Sequence, residues 1–130
     1  MAVPYATDQA MSVVDLEDVA EVAVKVLSED GHLRAIYDLV GDEPLSTRDM
    51  ADIISKVAGK PTEVKQLPLE SVAQGTPRDT PIDAYEADSL ERMFIYYTRH
   101  GLTGSPNVLG FVLGRPPTTY EAFVRRNLGG

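Results

Sequence analysis

Asp15 and Asp18 stand one helical turn apart in Val13-Val14-Asp15-Leu16-Glu17-Asp18-Val19-Ala20, a spacing that can hold a metal ion or run acid–base chemistry. The stronger reading is structural. An aspartate at a helix N-cap with a second one three residues on satisfies orphan N–H groups and complements the positive end of the helix dipole. His100, between Arg99 and Gly101, can cap a helix C-terminus as a cation or face a pocket as a proton donor, and the capping role is favoured. His32 adjoins Gly31 in a turn and reads as solvated. Tyr85, Met93, Phe94, Tyr96 and Tyr97 can wall a site for a small planar ligand, since aromatic bodies bury large area and phenols add directional hydrogen bonds. The same spacing also describes an ordinary core stripe.

Several kinds of chemistry are excluded by what the chain lacks. There is no cysteine and only two histidines, which removes disulfides, thiolate catalysis, cysteine-ligated metals and multi-histidine metal sites. No Gly-x-Ser-x-Gly, His-Glu-x-x-His or Tyr-x-x-x-Lys arrangement occurs; Tyr96 has His100 at the last offset. Gly101-x-x-Gly104 follows a helical pattern rather than a strand, and Gly110-x-x-x-Gly114 has no following Lys-Ser or Lys-Thr, so neither reads as a phosphate cradle.

The elements that must position these groups read as follows. Leu16, Val19, Ala20, Ala23, Val24 and Leu27 recur at three and four, predicting an amphipathic helix with Asp15 as N-cap, stopped at Gly31. Ser46 to Asp49 is a capping signal for a second helix, with Met50, Ile53, Ile54 and Val57 as its buried stripe and Gly59 and Pro61 at its end. A longer helix starts at Asp83 with Glu86 as box partner, and a last one starts near Thr118 with Glu121. In the longer helix Ile95 falls on the polar side, a hint that this face touches something. Strands are expected at residues 11–14, 35–40 and 62–67. Residues 2–10 read as an extended lead-in, 69–74 as a short helix, 75–81 as a loop and 102–117 as irregular. The class is therefore α/β, with a small partial sheet of about three short strands and four to five helices.

At 130 residues the chain is one domain, residues 1–130, with a hydrophobic fraction of 43% and a charged fraction of 25% that are ordinary for a folded protein. Twelve Lys and Arg against twenty Asp and Glu leave a net charge of −8, most of it in residues 1–65. That argues against a nucleic-acid backbone or an anionic membrane as partner. With no membrane-length apolar run and no leader pattern at residues 1–10, a cytoplasmic protein is expected. Unpaired sheet edges predict a homodimer.

Two stretches carry a resemblance. Ser12 to Ala20 followed by Ile36-Tyr37-Asp38-Leu39-Val40-Gly41, and the closing Leu113-Gly114-Arg115-Pro116-Pro117-Thr118-Thr119-Tyr120-Glu121-Ala122-Phe123-Val124, resemble the C-terminal part of the NmrA-like family of atypical short-chain dehydrogenases. The resemblance implies a Rossmann-type NAD(P)-binding parent, an oxidoreductase or redox-sensing regulator, of which this chain is the substrate-domain-like segment without the N-terminal dinucleotide-binding half. It implies NAD(P) for the intact member and no cofactor or catalysis for this chain alone. Pro4 and Tyr5 match the segment that passes near nicotinamide and substrate. Together with Tyr85, Met93, Tyr96, Tyr97 and His100 they form the expected substrate pocket. A homodimer or the missing N-terminal domain is the expected partner. An independent interaction module or small-ligand carrier, with its pocket between the aromatic helix and residues 104–114, is the alternative.

Overall fold

The computed structural model describes residues 1–69, 71 and 83–128. Four two-residue strands and five helices follow in the order β1 (Ala2–Val3), β2 (Met11–Ser12), α1 (Leu16–Ser28), β3 (Pro44–Leu45), α2 (Thr47–Ala58), β4 (Lys65–Gln66), α3 (Ala84–His100), α4 (Asn107–Leu113) and α5 (Tyr120–Leu128). The α/β class holds. The strands form two separate ladders: β1 runs parallel to β4, and β2 runs antiparallel to β3 with Met11 opposite Leu45.

The strand expectations need correction in detail. Residues 35–40 form no ladder, although Tyr37 and Leu39 pack inward and Ile36 is 97% exposed. The side chains alternate as a strand's do, but no neighbouring strand among the described residues takes up the backbone groups. The expected strands at 11–14 and 62–67 shrink to Met11–Ser12 and Lys65–Gln66, while Ala2–Val3 and Pro44–Leu45 are additional. The stretch read as irregular contains α4, whose Leu109, Val112 and Leu113 are buried despite Gly110 in the middle. Ser71 N–H donates to Pro68 O, closing a turn where the short helix was expected to begin. The rest of that helix and the loop at 75–81 lie outside the described residues.

Helix ends follow the chain's capping chemistry. Ser46 and Asp49 form a reciprocal capping box, Asp83 accepts from Glu86 N–H, and Asp15 accepts from Glu17 N–H. α1 packs on α4 and α2 on α5. One core joins Val22, Leu109, Val112 and Leu113, flanked by Val14, Val26, Tyr37 and Leu39. The other joins Met11, Leu45 and Met50, flanked by Tyr5, Val13, Ile53, Tyr97 and Tyr120.

α1 is turned relative to expectation. Its buried residues are Asp18 and Val22, whereas Leu16, Ala20, Ala23, Val24 and Leu27 of the predicted inner stripe are exposed. Both sides of the helix carry apolar residues, and α4 covers the side centred on Val22. Among the described residues no helix is long and apolar enough to cross a membrane.

Candidate functional site

The expected pocket residues fall into separate places. Tyr5 stacks on Phe94 at 5.9 Å and meets Tyr97 edge-on at 6.0 Å, so these three rings close on one another above the Met11–Leu45–Met50 core. Tyr96 lies 4.8 Å from the His100 ring, and both are exposed on the last turn of α3. Tyr85, in the first turn of that helix, is 82% exposed, and Met93 is half-buried. Pro4 instead lines a groove of about 360 Å³ with Ile95, Thr98 and Arg99. Ile95 on the polar side of α3 is thereby accounted for. His32 is half-buried rather than solvated, its Nδ1 2.7 Å from the Tyr37 hydroxyl.

A tighter cavity of about 210 Å³ opens where α1 and α5 begin. It is lined by Val13, Val14, Asp15, Thr118, Tyr120 and Phe123, with Asp42 and Glu43 also on its wall. Its polar groups are largely engaged within the protein. Asp15, buried, accepts two hydrogen bonds from Arg126 at 2.7 and 3.0 Å. Thr118 donates its N–H and its hydroxyl to Asp18, and Thr119 accepts from Ala122 N–H. Thr119 rather than Thr118 therefore caps α5. Burial keeps the Tyr120 phenol protonated to higher pH than usual.

Sequence reasoning missed the partners of the two aspartates. Arg115 joins Asp18 at 2.8 Å and Glu21 at 2.6 Å; Arg126 joins Asp15 and, at 3.0 Å, Glu17. Burial raises the Asp18 carboxyl, but the Thr118 N–H, the Arg115 guanidinium and the Thr118 hydroxyl outweigh it and hold the group below its ordinary 3.8. Neither carboxylate is free for acid–base work or a metal. Asp15 is the cap that was read, and Asp18 ties α1 to the loop before α5. Among the described residues no group of three or more His, Asp or Glu is placed to hold a metal ion.

A dinucleotide needs a helix N-terminus with open N–H groups beside close-packed glycines. The described residues do not fit that requirement. The first turns of α1, α2, α3 and α5 contain Glu17 and Asp18, Asp49, Glu86 and Glu121, placing carboxylate where phosphate would have to sit. The close-approach glycines face this chain's own atoms: a Cβ at Gly41 would strike the Val13 carbonyl, and one at Gly101 the Ala10 carbonyl.

No family model matches the chain. It is 29% identical over 120 residues to an NAD(P)H azoreductase of Xenophilus azovorans, covering 88% of this chain and 40% of that protein. Its fold superposes on an NADPH-dependent quinone oxidoreductase of Escherichia coli with a TM-score of 0.74 and 25% identity, covering 96% of this chain and 45% of the other. A triphenylmethane reductase of Citrobacter sp. shares the fold at a TM-score of 0.73 and 22% identity, covering 99% and 45%. The azoreductase and the quinone oxidoreductase are named for NAD(P)H and NADPH. This chain spans about two fifths of the length of the curated relatives it matches.

Proposed function

We propose that this chain is the C-terminal, substrate-domain-like segment of an NmrA-like NAD(P)-dependent oxidoreductase or redox-sensing regulator, and that it is not catalytic by itself. The observation that carries this reading is the asymmetry of the match: nearly the whole chain aligns with less than half of each reductase. Two features of the site agree with it. Among the described residues, four of the five helices carry the chain's own carboxylates in their first turns, the exception being the seven-residue α4, and Asp15 and Asp18 are held by arginines, so the residues here are suited to building walls rather than to holding a dinucleotide or moving a proton. NAD(P) belongs, on this reading, to the intact family member. Its dinucleotide-binding half and a second copy of this chain are the two partners in view.

Calorimetric titration of the 130-residue chain with NADPH and with NAD tests the proposal. The expected result is no saturable heat at micromolar ligand; a micromolar dissociation constant for either nucleotide overturns it.

The alternative reading, a self-associating interaction module, is favoured by one observation, the exposed apolar side of α1. The carrier reading puts a small planar ligand between the aromatic helix and residues 104–114, and two rings of that helix, Phe94 and Tyr97, are instead in contact with Tyr5. Tyrosine fluorescence and melting temperature measured across a panel of quinones and flavonoids test it, and invariance of both removes it.

A further inference from the structure

The outward side of α1 has a pattern of its own. Leu16, Val24 and Leu27 are 77%, 65% and 87% exposed, and Ala20 and Ala23 between them are exposed too. At about 100° per residue, Leu16, Ala20, Ala23 and Leu27 fall within an arc of roughly 60°. Their spacing of four, three and four is that of a coiled-coil seam. It also reads the same from either end: reversal about the midpoint between Glu21 and Val22 exchanges Leu16 with Leu27 and Ala20 with Ala23. A twofold contact requires a patch complementary to itself in this way.

The geometry points to α1 as the contact helix of an antiparallel homodimer, with Leu16 on the partner's Leu27 and Ala20 on the partner's Ala23. Small residues at the centre let the helix axes approach, and leucines close the two ends. Charge is compatible with a second copy even at −8 per chain. The seam is flanked by Glu17 and Val24, both exposed, on one side and on the other by Val19 and Val26, both half-buried, Val26 against the Val22–Leu109 core. Antiparallel pairing sets Glu17 against the partner's Val24 and Val19 against the partner's Val26, so no two carboxylates meet across it. Leu16, Ala20, Ala23, Val24 and Leu27 together expose on the order of 500 Å² per copy, so a pair hides at most about 1,000 Å², at the lower bound for a specific interface. An interface at that bound predicts a weak, reversible dimer rather than a permanent one. This inference deepens the self-association reading and does not use the oxidoreductase one; its test involves no nucleotide, so either can fail alone.

Sedimentation equilibrium of the full 130-residue chain from about 1 to 500 µM, a range that brackets micromolar affinity, should show a reversible monomer–dimer equilibrium. Leu27→Glu, a substitution at a solvent-exposed position, should abolish it while leaving the far-ultraviolet circular dichroism unchanged. Because the chain has no cysteine, Ala20→Cys and Ala23→Cys chains can be mixed in equal amounts and oxidised, and the mixed disulfide should exceed each symmetric one by well over the twofold that random pairing gives. A wild-type monomer throughout the range, a dimer indifferent to Leu27→Glu, or a mixed disulfide at or below that twofold excess overturns the proposal. So does a monomer whose α1 becomes protected from hydrogen exchange only when the N-terminal remainder of the azoreductase is added, which would assign this face to a dinucleotide-binding half.

Discussion

Arg126 grips Asp15 with one guanidinium nitrogen on both carboxylate oxygens, at 2.7 and 3.0 Å, across 111 residues of chain. The contact fastens α5 to the start of α1, and Asp15 lines the cavity there. Removing one partner of a buried pair leaves a desolvated charge behind, which costs more than the pair itself is worth. The Arg126 side chain is 39% exposed, so solvent screens part of that penalty and Arg126→Ala should cost about 2 kcal/mol. Thermal melts should show a fall of roughly 6–10 °C for a domain of this size. Arg126→Lys, which keeps the charge but loses the forked donor geometry, should fall between the two. A melting point for Arg126→Ala equal to wild type would contradict the role assigned to this contact.

Asp18 makes stability depend on acid in a defined direction. Its carboxyl is held below 3.8 in the folded chain by Thr118 and Arg115 acting against burial. Below that value the unfolded state binds the proton more readily than the folded state, so the stabilisation is complete above about pH 4 and is lost as pH falls through the folded value. Urea denaturation of wild type and Asp18→Asn between pH 5 and pH 2 should give a shallower decline for the variant, which has no proton to bind at that position. Parallel declines would refute the assignment.

Local chemistry was legible in the sequence and long-range pairing was not. The boxes at Ser46–Asp49 and Asp83–Glu86 could be read because both partners lie within one turn, and the structure places the bonds there. Arg126 could be read only as a complement to its own helix dipole, since nothing in the spacing ties it to Asp15. Residues 35–40 have a strand's composition and its alternation of buried and exposed side chains, but a ladder is a property of two segments. α4 was hidden by Gly110 and Gly114, which signal breaks locally; the first sits inside the helix and the second, at φ 72°, ends it. For α1 the period was right and the face was wrong, because both of its sides are apolar and period alone does not say which one the neighbouring helix covers. The expected pocket failed to gather around one cavity for a related reason: residues spread along the seventeen of α3 point where their own turns point, and only Tyr97 and Phe94 meet Tyr5.

Gly41 reports on the closeness of two backbone segments. Its N–H donates to Val13 O at 2.8 Å, and a Cβ there would collide with that same carbonyl. Gly41→Ala must therefore push the chain at Gly41 away from Val13, just past β2, and should cost roughly 3 kcal/mol or more. Gly59→Ala is the control: its φ of 67° strains any side chain, but nothing lies within 4 Å of the added atom. That substitution should cost only about 1 kcal/mol. Chemical denaturation of both variants separates collision from backbone strain, and equal losses would show that the close approach at Gly41 is not the controlling factor.

Thr47 offers the opposite sign. It opens α2, is 1% exposed, and its hydroxyl oxygen has no hydrogen-bond partner among the described residues. A buried hydroxyl without a partner loses its bonds to water and recovers none on folding, at a cost of about 1–3 kcal/mol. Valine has nearly the same shape and no polar atom, and at the first helical position a β-branched residue meets little crowding from a preceding turn. Thr47→Val should therefore raise stability by about 1 kcal/mol, seen as a higher urea midpoint with an unchanged slope. Thr47→Ser, which keeps the unmet hydroxyl and gives up a methyl group, should lower it. If Thr47→Val instead destabilises the chain, the hydroxyl is bonded to something in solution, and an ordered water beneath the N-terminus of α2 becomes the explanation to pursue by high-resolution crystallography.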